Sequence, residues 1–201
     1  MSQINQKTVR TAQLALLAAI IAVLQQIVIP LPGGLSLSLV LVPIVVGAVL
    51  YGAGAGALLG GVFGLVVSVM AIQGRLGVLT NMMVAYNPVL TVAVCMLKGV
   101  AAGWVAGLVN GAFKKRPVIG IFAAAAVAPL TNTGIFLAGM LTVFRGVMLD
   151  FADSIGMSGV GTLYFAIVVL VGVNFIIEFA ANLLLSPAIS SIVKAVRKIG
   201  R

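Results

Sequence analysis

Long apolar runs separated by short polar punctuation organise this chain. Taking about 20 apolar residues as one bilayer crossing, the pattern predicts six spans, at 11–29, 35–50, 53–72, 87–111, 118–144 and 159–188. Pro30-Leu31-Pro32-Gly33-Gly34 is a strong breaker and closes the first. Tyr51-Gly52-Ala53-Gly54 reads as a tight turn between the second and third. An irregular stretch from Gln73 to Tyr86 precedes Asn87-Pro88, where the fourth span starts. A polar loop carrying Arg145, Asp150 and Asp153 separates the fifth from the sixth, and Pro187 is expected to kink or end the last helix. The fold class is all-α: a single-domain, polytopic six-helix membrane bundle over residues 1–201.

Composition agrees with that pattern. Of the 201 residues 62% are hydrophobic and 7% charged, whereas a soluble domain carries roughly a quarter charged residues. The net charge of +9 does not call for nucleic acid. Nine of the twelve basic residues form three groups: Lys7 and Arg10; Lys114, Lys115 and Arg116; and Lys194, Arg197, Lys198 and Arg201. An even number of spans puts all three on one side, which the positive-inside rule makes cytoplasmic together with both termini. The polar start runs into an apolar stretch without a small-residue cleavage pattern, so the first span is expected to be retained.

Catalysis finds little support in the residues. Histidine is absent, Asp and Glu total three, and Cys95 stands alone, which leaves no metal-ligand spacing and no acid–base pair. No phosphate-binding Gly-x-x-x-x-Gly-Lys-Ser/Thr loop occurs, so any ATP hydrolysis belongs to partners. No cofactor is expected. A solute carrier, a channel or a membrane scaffold remain, and a scaffold leaves the polar residues within the spans unexplained.

Those polar residues are the candidate chemistry. Glu178 is the one acid inside an apolar segment, and Asn174, Glu178 and Asn182 share a helix face at four-residue spacing. An ionisable group at that depth is costly and usually faces a bundle interior or cavity. Lys98 lies about 16 Å along the fourth span, near mid-membrane; Glu178, expected deeper toward the cytoplasm, could pair with it, or a bound anion could. Pro129 deprives the Ala125 carbonyl of its donor, and Thr131-Asn132-Thr133 beside it can serve the freed backbone or a polar ligand. Arg75 and Arg145 fall in outward loops, where cations could attract an anionic solute.

Small residues form ladders: Gly52, Gly56, Gly60 and Gly64 on the third span, and Gly99, Gly103, Gly107 and Gly111 on the fourth. Such spacing lets helix backbones approach closely in lipid. Thr11, Ala15, Ala18 and Ala22 make a similar stripe on the first span, open both to packing within the bundle and to docking another membrane protein.

Together these segments resemble the substrate-binding (S) components of energy-coupling factor vitamin transporters. The likeness rests on Leu41 to Gly52 running into Gly60 to Gly64, on Tyr86-Asn87-Pro88 with Lys98 to Gly107, on Pro129 to Thr133, and on Asn174 to Glu178 with Leu185-Ser186-Pro187. The resemblance implies a multi-pass protein of a prokaryotic cell membrane that captures a vitamin or related nutrient from outside. It also implies a transmembrane coupling subunit and two cytoplasmic ATPases as partners. By position it nominates Asn87, Lys98, Thr131, Asn132, Arg145, Asn174 and Glu178 for the solute, and Ala15, Ala18, Ala19 and Ala22 for the coupling subunit. Asn87-Pro88 and Thr131-Asn132-Thr133 look most like the pantothenate-type branch, whose arginine-bearing segment is replaced here by the region of Cys95 and Lys98. Folate-like, riboflavin-like and queuosine-precursor-like solutes stay open, and a self-contained channel or facilitator is the alternative class.

Overall fold

The computed structural model describes residues 6–27, 29–31, 35–37 and 39–199; the side chains of 6, 29–31, 35–37, 173, 174 and 197–199 lie outside that description. Five helices are long and apolar enough to cross a membrane: α1 (Gln6–Gln26), α3 (Ala53–Ile72), α5 (Pro88–Ala112), α6 (Pro117–Thr142) and α9 (Val173–Ile199). Two shorter apolar helical stretches accompany them, α2 (Leu41–Tyr51) and Thr162–Gly172. The latter comprises α8 (Thr162–Tyr164) and a π-helical segment (Phe165–Gly172) that leads directly into α9. Leu16, Leu65, Leu97 and Leu184 are more than half exposed, an outer surface that suits hydrocarbon as solvent. The protein is an all-α polytopic membrane bundle.

Where the elements differ from the sequence expectation, proline and amphipathicity account for it. The second helix begins at Leu41, not at residue 35. A start at residue 35 would set Pro43 against the carbonyl of Leu39 in mid-helix; a start at Leu41 places it in the first turn, where a missing N–H costs nothing. Residues 35–37 instead form β2 (Leu35–Leu37), paired antiparallel with β1 (Ile29–Leu31). Pro32, Gly33 and Gly34 of the breaker lie outside the described residues. The stretch expected to be irregular contains α4 (Val78–Tyr86), and the expected polar loop is α7 (Arg145–Ser154). In α7, Val147, Met148 and Ala152 are buried while Arg145, Asp150 and Asp153 are exposed, a single apolar stripe on an otherwise polar segment. The last helix runs through Pro187 to Ile199. Pro187 cannot donate to the Leu183 carbonyl, and the hydroxyl of Ser186 does so in its place at 2.6 Å.

Backbone contact between α3 and α5 forms the centre. A Cβ on Gly56 would collide with the carbonyl of Gly103, one on Gly60 with that of Gly99, and one on Gly64 would sit 2.8 Å from the Cys95 oxygen. The ladders are therefore the surfaces on which two antiparallel helices touch. Their end members differ: Gly52 has φ +88° at the α2–α3 corner, and Gly111 has open space around it. Buried α2 lies beside this pair, with Ile44, Val45 and Ala48 wholly inaccessible. On its other side Ala124, Ala125 and Ala128 of α6 meet Ile189 and Val193 of α9.

The two ends of the bundle are chemically distinct. Tyr51 donates to Gln13, Arg10 stands 5.5 Å over the Tyr51 ring, and a Cβ on Gly107 would meet Ala53. Gln13 also shares a groove with Ile192 and Val196. The start of α1, the α2–α3 and α5–α6 corners and the end of α9 thus lie together. All three basic sequence groups belong to that end; the side chains of Arg197 and Lys198 and all of Arg201 lie outside the described residues. At the opposite end, Arg75 in the turn after α3 donates to Gln26 at 2.8 Å, tying that turn to α1.

Candidate functional site

Lys98 projects from the middle of α5 between two aromatic faces. Its Nζ is 5.8 Å from the ring centroid of Phe63 on α3 and 5.5 Å from that of Phe136 on α6. Both distances fall within cation–π range, and the ring faces compensate part of the lost hydration. Glu178 of α9 lies within electrostatic range of Lys98, yet no ion pair joins them. The cation is held, not neutralised.

Helix register brings the amides to the same depth. Asn132 stands one turn from Phe136 on α6, toward the basic end and on the same face. Antiparallel α6 and α9 share a buried cluster that includes Ala128 and Ile189; one turn beyond Ala128 is Asn132, and two turns before Ile189 is Asn182. Both displacements run away from the basic end, so the two asparagines lie on neighbouring turns. The same register sets Asn182 about level with Phe136 and Glu178 about one turn further from the basic end. Asn132, Glu178 and Asn182 are 9%, 7% and 0% exposed.

Their hydrogen bonding is incomplete. The Asn182 amide NH2 donates to the Glu178 carbonyl at 2.9 Å, but among the described residues its Oδ1 has no donor, and neither has Oδ1 of Asn132. Buried polar atoms left unpaired cost about 1–3 kcal/mol each. A molecule bearing an anion and O–H or N–H donors has the groups that this cation and these two acceptors lack.

The remaining nominated residues are placed as follows. Asn87 caps α5, its Oδ1 accepting from the Leu90 N–H at 3.0 Å, with Pro88 in the first turn. Its oxygen is thereby committed to the helix, leaving the amide NH2. Thr131 is half-buried beside Asn132. Arg145 is on the exposed face of α7, remote from the Lys98 level in chain position, and Arg75 is engaged by Gln26. The Asn174 side chain lies outside the described residues. On α1, Ala15 and Ala19 are exposed, while Ala18 packs against the core and Ala22 is half-buried. Phe63, Phe136 and Asn182 were not among the nominated residues. The four-residue spacings Asn132–Phe136 and Glu178–Asn182 were the available signal; Phe63 had none, since its place depends on the Gly60–Gly99 contact.

The pattern that defines the substrate-specific component of ECF transporters matches residues 10–190, nearly the whole chain. This chain belongs to that family. The match takes in α1 and the α5–α6–α9 site alike, and it makes the protein a component of a transport system, not a catalyst. No curated protein matches. An S component needs a place for its solute, and Lys98, half-buried between two aromatic rings, is a cation within its apolar spans.

Proposed function

We propose that this S component captures a small carboxylate-bearing nutrient, pantothenate first among the candidates, from outside a prokaryotic cell. It then releases the solute inward with a transmembrane coupling subunit and two cytoplasmic ATPases. One observation carries the solute class: Lys98 stands between Phe63 and Phe136, and the buried oxygens of Asn132 and Asn182 on α6 and α9 have no donor among the described residues. A carboxylate would complete Lys98, because a charge-assisted hydrogen bond in a low-dielectric site is the strong kind. Hydroxyl and amide donors, as pantothenate has, would supply what the two oxygens lack. Glu178 is read as a structural partner of Lys98, and Asn174 and Thr131 as further solute contacts. The exposed pair Ala15 and Ala19 is read as the face for the coupling subunit, with Ala18 and Ala22 supporting it from the packed side.

The experiment is mass spectrometry of small molecules retained by the gently purified protein, for wild type and Asn132→Ala. The expected result is one carboxylic acid with hydroxyl or amide donors, retained at about one-tenth the level by the variant, since one good hydrogen bond is worth on the order of 1.4 kcal/mol there. A retained solute without an anionic group would overturn the reading. So would equal retention by both proteins.

A further inference from the structure

Three helices meet at the Lys98 ammonium, and each presents it with electron density. Phe63 of α3 and Phe136 of α6 hold their rings 5.8 and 5.5 Å from Nζ, and Glu178 of α9 lies within electrostatic range. Glu178 is buried and is the one acid within the apolar spans. The rings are seated independently of the lysine. A Cβ on Gly99 would stand 3.1 Å from Phe63 Cδ1, so the bare α3–α5 contact is what lets that ring lie against α5. Phe136 packs against the cluster of Met140 and Phe144. Lys98 is half-buried and, among the described residues, has neither a hydrogen-bond acceptor nor an ion pair.

Two ring faces and a carboxylate favour positive charge at this point, whatever carries it. We infer that Lys98 sets the sign of charge the solute site accepts: it fills, as a tethered ammonium, a cation cage that Phe63, Phe136 and Glu178 form. With Lys98 in place a second cation meets like charge in a poorly screened interior and is rejected. An anion instead finds an ammonium whose hydrogens have no acceptor. With a short neutral side chain at position 98 the rings stay, Glu178 loses its counter-charge, and the cage takes a free primary or quaternary ammonium. One residue thus separates an acid-binding site from an amine-binding one. The inference rests on the solute site proposed above for its location, and adds which residue excludes the opposite class of solute.

Lys98→Ala removes the propylammonium part of the side chain, which free n-propylammonium can replace. Thermal-shift titrations in detergent test this with n-propylammonium and tetramethylammonium, against sodium chloride at matched ionic strength. Tetramethylammonium has no N–H, so it reports the rings. Both cations are expected to stabilise Lys98→Ala saturably and wild type not at all. Adding Phe136→Leu is expected to weaken them at least about fivefold through loss of one ring face. A folded Lys98→Ala that responds to neither cation overturns the inference. So do equal responses by wild type and variant, or an affinity that ignores Phe136→Leu. The intact lysine supplies a second reading by NMR after reductive methylation, which keeps the charge. Ring currents should set the Lys98 methyl signals of wild type upfield of those of the other lysines, and Phe136→Leu should return them; unshifted signals overturn the cage. Acid binding by wild type is a separate titration, whose failure counts against the carboxylate reading and leaves these outcomes unaffected.

Discussion

At the scale of single residues, proline decides more than its count suggests. Pro187 sits within α9, and the helix survives because Ser186 donates to the carbonyl that Pro187 leaves unserved. Ser186→Ala removes that donor in a fully buried place and is expected to destabilise the protein by about 1–2 kcal/mol. Thermal unfolding in detergent would register this as a lower midpoint, with solute affinity unchanged; an unaltered midpoint would mean that the carbonyl has another partner. The deep polar residues were legible from sequence because charge and amide stand out against an apolar background, and Lys98, Asn132 and Glu178 were found that way. Their surroundings were not. Phe63 reaches Lys98 from another helix, and nothing in one-dimensional spacing reports a contact made across α3 and α5. Asn87, nominated for the solute, caps α5 through its Oδ1, and local sequence does not separate the two roles.

Among the elements, the α3–α5 pair and α1 behave oppositely. Gly60 and Gly99 bring two backbones into contact, so Gly60→Ala or Gly99→Ala must separate the helices, at a cost of about 1–3 kcal/mol or more for overpacking. Gly111→Ala, with open space around it, is the matched control and should be neutral in the same unfolding measurement. Equal effects at all three positions would contradict the close-packed seam. On α1, Ala15→Leu with Ala19→Leu should leave solute binding intact and abolish co-purification with a coupling module; loss of both together would assign the pair to the fold instead. Helix existence was readable from apolar run length for α1, α3, α5 and α6. Helices α4 and α7 were missed, because turns with many polar residues read as loops unless their apolar positions are checked for a shared face. The start of α2 was misplaced because run length ignores where a proline must sit.

The whole molecule combines a cationic end, an apolar exterior and one polar level near its middle. Class and family were recoverable from composition and motif order, since a bilayer leaves few ways to satisfy a backbone. Depth and partnership were not recoverable, because they depend on how α5, α6 and α9 register against one another. On that register rests the proposed site, with a cation between two rings and two amide oxygens in want of donors. Isothermal titration of the purified protein, wild type against Lys98→Met, with pantothenate and then a panel of other carboxylate vitamins, addresses the site directly. Saturable one-to-one binding of one carboxylate by wild type is expected, weakened at least about tenfold, ~1.4 kcal/mol, in Lys98→Met. Equal affinity in the two proteins, or binding only of uncharged solutes, would contradict it.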